Sequence, residues 1–245
     1  MRTRVVAWAV TAVVAVSGAG VDTRAAAAPI FPTLGSDAYD VLHYDLDLRW
    51  EEAGGYLEGT ATQALLTLRA RSAATSLSLD LDSNLQVTAV SVDAVPKTFS
   101  QSGHKLVVQS TLVPGAEYAV KVAYGGTPRA LTDPDGSATG WLTTFSGGAL
   151  VLSEPRGSMT WFPNNNRPGD KATFDISVNV PADFQAISNG RNTSVQTVAG
   201  RSVWNWAVNE PMATYLATVG IGQYNRTTRV VDGIRYDSFT EISQN

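Results

Sequence analysis

The stretch "YDVLHYDLDLRW", residues 39–50, alternates in character along most of its length. Leu42, Tyr44, Leu46, Leu48 and Trp50 are set to face one way, and His43, Asp45, Asp47 and Arg49 the other. A period of two marks a strand that is buried on one side and wet on the other. The alternation returns at 57–70, 76–81, 85–93, 105–110, 117–124, 149–152, 172–180, 184–188, 193–198, 202–208, 213–224 and 227–239. Turn pairs such as Pro114-Gly115, Ala199-Gly200 and Asp232-Gly233 punctuate these segments. Past the amino terminus, no window of about twelve residues carries a helical stripe. The pattern predicts an all-β fold of about a dozen mostly antiparallel strands, arranged as a sandwich or a saddle-shaped pair of sheets. Residues 127–148, rich in Pro, Asp, Gly and Ser, read as the longest loop, placed to separate two sub-sheets.

Arg2 and Arg4 precede an apolar run from Val5 to Val16, and the small residues Ala25 to Ala28 follow. That order is the pattern of a secretory signal peptide cleaved near Ala27 or Ala28. About twelve apolar residues are too few to cross a hydrocarbon core of roughly 30 Å, which counts against an uncleaved membrane anchor. The expected organisation is a signal peptide at 1–27, a short linker at 28–36 and one β domain at 37–245, in a secreted chain without a membrane partner. Apolar residues at 44% and charged residues at 16% fit a globular domain. A net charge of −4 with no run of Lys and Arg argues against a nucleic-acid partner. The absence of cysteine excludes disulfides, thiolate metal sites and Cys nucleophiles.

His43 and His104 are the only histidines and lie far apart in sequence, with no partner at the fourth position on. A His-Glu-x-x-His helix is absent, so neither a catalytic residue nor a metal ligand is assigned. Asp37, Asp40, Asp45 and Asp47 are spread along a strand and lack the glycine-bearing loop of a calcium site. Trp141, Trp161, Trp204 and Trp206 would suit either a sugar-stacking platform or the core. For Trp204 and Trp206, on one face of one strand, the core is the better reading.

The densest segment is "SEPRGSMTWFPNNNRPGDKATF", residues 153–174. A lone carboxylate, Glu154, stands beside Pro155 and Gly157, and Trp161, Phe162 and Pro163 are placed to brace the loop from below. Pro155 restricts the backbone of Glu154 and Gly157 permits a bend. A carboxylate held in this way suits a fixed ammonium group, through short charge-assisted hydrogen bonds.

This segment resembles the amino-terminal domain signature of the zinc aminopeptidases related to aminopeptidase N. Phe162-Pro163, Pro168, Lys171-Ala172 and Phe174 stand at matching spacing. "YDVLHYDLDLRW", "LEGTATQALL" and "PMATYLATVGIGQY" agree in the same order, so the similarity spans residues 37 to 237. The resemblance implies a saddle-like β domain that packs on a thermolysin-like catalytic domain. It implies that Glu154 binds the free α-amine of a peptide substrate. Leu152 stands where many relatives have glutamine, Met159 where many have arginine, Asn164 in place of a cysteine, and Asn166-Arg167 in place of an acidic pair. The family's zinc-binding residues have no counterpart before the chain stops at "SFTEISQN". The expectation is therefore the amino-terminal domain alone, inactive by itself and holding no cofactor, with zinc on the catalytic domain. The alternatives are a non-enzymatic exported β-sandwich that binds peptide or carbohydrate, and a purely structural module.

Overall fold

The computed structural model describes residues 31–242, so the signal-peptide segment and the first residues of the linker lie outside the described residues. The first half runs β1 (Tyr39–Glu51), β2 (Tyr56–Leu57), β3 (Gln63–Ala70), β4 (Leu77–Asp80), β5 (Leu85–Val92), β6 (Val95–Pro96), β7 (Phe99–Ser102), β8 (Lys105–Val108) and β9 (Glu117–Gly126). The second half runs β10 (Leu131–Thr132), β11 (Ala138–Thr143), β12 (Ala149–Leu152), β13 (Lys171–Pro181), β14 (Gln185–Ser188), β15 (Arg191–Val198), β16 (Arg201–Ala213), β17 (Val219–Gly222), β18 (Tyr224–Val231) and β19 (Ile234–Glu241). Two short 3-10 turns, Gly157–Thr160 and Thr214–Leu216, are the only helical elements among the described residues. The fold is all-β, as the alternation predicts.

A nine-stranded sheet follows the order β15-β16-β13-β1-β2-β9-β5-β6, with β3 pairing both β1 and β9. A five-stranded sheet, β10-β11-β12-β17-β14, a three-stranded sheet, β4-β8-β7, and the β18-β19 hairpin complete the fold. The pairing of β1 with β13 is parallel, in register from His43–Thr173 to Arg49–Asn179. The other pairings among the described residues are antiparallel, as between β1 and β3. β1 buries Tyr44, Leu46, Leu48 and Trp50 on one face, as its sequence requires. Leu42 departs from the pattern. The register against β3 slips between Val41 and His43, so Leu42 is the extra residue of a bulge and Val41 takes the inner face.

Residues 127–148 are not one loop. They hold β10 and β11, which open the five-stranded sheet after the chain leaves β9. The expected 57–70 strand breaks at Glu58–Thr62, where the Glu58 carboxylate accepts from the backbone N–H of Thr60 (3.0 Å) and from its hydroxyl. The expected 227–239 strand folds back as β18 and β19 about Asp232 and Gly233, with φ of 51° and 79°. Two successive left-handed residues match the twist of a two-residue hairpin, which is why Gly follows Asp there. Residues 34–36 of the linker are built into the domain: Leu34 is buried, and Ser36 N–H donates to Asn165 Oδ1 at 2.7 Å.

The core closes around Tyr44. Its ring stacks on Phe174 of β13 (4.9 Å, 15°) and meets Phe162 edge-on (5.4 Å, 86°). Its hydroxyl accepts the N–H of Asn165 at 3.0 Å. Burial raises the Tyr44 hydroxyl well above its ordinary pKa, so the ring stays neutral. Beside this cluster Asp80 is fully buried. Its carboxylate pairs with Lys105 and accepts N–H groups from Gly35 (2.6 Å) and Asn166 (3.2 Å). One carboxylate thus ties together the segment before β1, β8 and the asparagine loop.

Removing one partner of a buried pair leaves the other uncompensated. Asp80→Ala should lower unfolding free energy by about 3–5 kcal/mol, and Lys105→Ala in the same background should recover part of the loss. Urea midpoints of wild type, both single variants and the double variant check this.

Candidate functional site

Glu154 follows β12 on a turn whose backbone is pinned at several points. The hydroxyl of Thr139 on β11 donates to the Glu154 carbonyl (3.0 Å) and to that of Leu152 (3.2 Å). Gly157 N–H closes the turn on the Ser153 carbonyl at 2.7 Å. Gly157 also lies against Gly140 of β11, where an added Cβ would come within 2.4 Å of the Gly140 nitrogen. Only glycine fits that approach, and it brings the turn down onto the five-stranded sheet. Thr160 Oγ1 donates to the Gly157 carbonyl (2.7 Å) and accepts Trp141 N–H (3.0 Å), locking the other side.

Below the turn, Trp161, Phe162 and Pro163 are buried. Trp161 packs edge-on against Phe162 at 4.4 Å, and its carbonyl accepts the Tyr124 hydroxyl at 2.9 Å. The three asparagines are buried too, a role that sequence reasoning missed. Asn164 exchanges backbone hydrogen bonds with Asp80 (2.8 and 3.0 Å), Asn165 Nδ2 donates to the Ser36 carbonyl (3.1 Å), and Asn166 Nδ2 donates to the Arg156 carbonyl (2.8 Å). Amides suit a buried irregular loop because each carries both a donor and an acceptor. In sequence these residues look like a polar surface run. The only available signal was the aromatic pair directly before them.

Above the turn, the Glu154 side chain is exposed, and among the described residues its carboxylate has no hydrogen bond or ion pair. The nearby cation Arg156 is engaged elsewhere: Nε donates to Asp133 at 2.6 Å and Nη2 to the Thr132 carbonyl at 2.8 Å. Leu152, two residues back on the same side of β12, is 54% exposed. Thr218 donates to the Val151 carbonyl at 2.6 Å, which brings the half-exposed Leu216 to the same end of the strand. The rim therefore presents one free carboxylate on a turn with a pinned backbone, just after the exposed Leu152. Trp141, Trp161, Trp204 and Trp206 are buried and offer no sugar-stacking platform.

Among the described residues, no group of three or more His, Asp or Glu side chains could hold a metal ion. His43 faces Asp175 and His104 faces Asp82, in different sheets. These residues do not fit a zinc ion. Among the described residues, no helix is long and apolar enough to cross a membrane.

The fold is a β domain with an exposed, unpaired carboxylate at the end of β12. Residues 41–216 match the family model of the Peptidase M1 N-terminal domain. An M1 zinc metallopeptidase from Deinococcus radiodurans, solved as a variant with a Tyr-Ser-Ala substrate, is 31% identical, with a TM-score of 0.75 over 82% of this chain and 46% of that one. A two-domain M1 zinc metallopeptidase bound to L-arginine is 30% identical, with a TM-score of 0.76 over 85% and 48%. Aminopeptidase A from Legionella pneumophila shares the fold at 19% identity, with a TM-score of 0.69 over 82% of this chain and 24% of that one. No curated protein matches at a significant level. The chain belongs to the M1 peptidase family as an amino-terminal domain, and it spans about half the length of the two-domain enzymes it matches.

Where the loop returns to β13, Asp170 accepts Val41 N–H (3.1 Å) and the Asn165 amide. Burial raises its carboxyl to about 7, reinforced by a hydrogen bond shared with Asp40, and the Asn165 and Val41 donors only partly offset this. An unfolded Asp titrates near about 3.9, so the folded state holds the proton more tightly. The resulting stability is complete below about pH 4 and is lost as pH rises through about 7. Thermal midpoints measured across that range should fall with pH in wild type. In Asp170→Asn, which cannot ionise, the fall should be shallower.

Proposed function

We propose that this domain supplies substrate recognition to an exported two-domain zinc aminopeptidase, with Glu154 holding the α-ammonium group of a peptide. The observation that carries the proposal is the Glu154 carboxylate itself, exposed and unpartnered on a turn fixed by Thr139, Gly157 and Gly140. A preorganised anion needs little reordering to accept a charged hydrogen bond. The ligands named for the solved relatives, Tyr-Ser-Ala, L-arginine and L-tryptophan, share a free α-ammonium group. The exposed Leu152, two residues before Glu154, and the exposed Leu216 suit contact with a thermolysin-like catalytic domain, which would bring the zinc ion and the hydrolytic chemistry. Glu154 would then fix the distance from the amino terminus to the bond that is cut, which restricts the enzyme to terminal residues.

The test is a chimera joining this chain to the catalytic half of the Deinococcus radiodurans enzyme. Glu154→Ala should lower kcat/KM for peptides with free amino termini by about tenfold to a hundredfold. It should leave the thermal midpoint of the domain unchanged, whereas Trp161→Ala should cost about 3–5 kcal/mol of stability. An unchanged preference for free over acetylated termini in Glu154→Ala would overturn the assignment. Export has its own check: protein recovered from culture medium should begin near Ala28, and an intact Met1 would contradict it.

A further inference from the structure

A cleft lies between the β18-β19 hairpin and the edge of the body formed by β14, β15 and β17. Its polar half is a cavity of about 430 Å³ that carries Arg191, Arg226 and Arg235 and a single carboxylate, Asp237. Its more apolar half, about 420 Å³, shares Gly190, Trp206, Arg235 and Asp237 with the first and adds Leu150, Ile187 and Phe239. Each half falls in the size range of small-ligand sites, roughly 300–1,000 Å³.

The charges in this cleft do not balance. Asp237 is shared by Arg235 (2.9 and 3.2 Å) and Arg226 (3.3 and 3.4 Å), and it also accepts the Thr228 hydroxyl. These donors hold its carboxyl well below the usual range, so it stays ionised. Arg191 has no acidic partner among the described residues. Three guanidinium groups against one carboxylate leave the cavity cationic in a chain whose net charge is −4. Arg226 is further fixed over the Phe239 ring at 5.3 Å, which orients its guanidinium at the junction of the two halves. A planar guanidinium fork matches a carboxylate, and the apolar half suits a hydrocarbon group attached to it.

We propose that this cleft binds a carboxylate that carries an aromatic or aliphatic group, with Arg191 as its principal cation. Glu154 does not line the cleft, and the proposal does not depend on the role assigned to it. A free small acid and the carboxyl terminus of a peptide share this chemistry, so both serve as probes.

The 245-residue chain, labelled with nitrogen-15, is titrated with 3-phenylpropionate and with N-acetyl-alanyl-phenylalanine, each against its neutral amide. Sulfate serves as an anion without an apolar group. At least one carboxylate should shift the Trp206 indole resonance with a dissociation constant on the order of 1 mM, and the tighter of the two identifies the source. The amides and sulfate should bind at least about tenfold more weakly, and added salt should weaken the carboxylate. Arg191→Ala should reduce affinity about tenfold without moving the thermal midpoint, because the side chain is exposed and has no protein partner. Arg235→Ala gives a second reading at the same cavity. The proposal fails if neither carboxylate binds up to roughly 20 mM, or if an amide binds as well as its acid. It also fails if both arginine variants keep wild-type affinity.

Discussion

Tyr44 joins three parts of the chain that are distant in sequence. Its ring stacks on Phe174, its edge contact is with Phe162, and its hydroxyl takes the Asn165 N–H. The parallel pairing of β1 with β13 sets Tyr44 opposite Phe174 in register. The loop between β12 and β13 carries Trp161 and Phe162 into that core, where both are buried. The turn that carries Glu154 sits at the other end of the same loop, so its position follows from packing well below the surface. Tyr124, which donates to the Trp161 carbonyl, adds a second anchor from β9.

Burying an irregular loop requires partners for its backbone, and here side chains supply them. Asn164, Asn165 and Asn166 each form at least one amide hydrogen bond inside the domain. Asp80 and Asp170 accept N–H groups that no strand satisfies. The two acids take opposite routes to neutralising a buried charge: Asp80 is paired with Lys105, whereas burial raises the carboxyl of Asp170 and favours its neutral form. Both solutions link the segment leading into β1 to the loop, so the amino-terminal edge and the candidate site are stabilised together.

The domain separates rigidity from reactivity. Around Glu154 the turn backbone is held by Thr139 and by the Gly157 N–H, while the carboxylate is exposed and unpaired among the described residues. The metal chemistry of M1 enzymes has no residues to hold it among those described, in keeping with a chain that spans about half of its two-domain relatives. At the hairpin cleft the imbalance is of the opposite sign: guanidinium groups exceed their carboxylate. The described body therefore presents an anionic rim, on the loop between β12 and β13, and a cationic cleft beside the β18-β19 hairpin.

Alternation along β1, β13 and β16, the Ala199-Gly200 and Asp232-Gly233 turns, and the isolation of Glu154 were legible in the sequence because they are local. A strand shows which face is apolar in a window of a few residues, and a left-handed turn announces itself by its glycine. The bulge at Leu42, the strands within 127–148 and the parallel partner of β1 were not legible. Each depends on which distant strand lies alongside, and pairing energy is not written in any one segment. The asparagines show the same division. Nothing in the local sequence marks them as buried, and only the tertiary structure, by enclosing them between Asp80, Ser36 and Arg156, makes them buried partners. Whether a polar side chain is buried depends on the donors and acceptors that folding brings to it, and these came from residues ten to more than a hundred positions away.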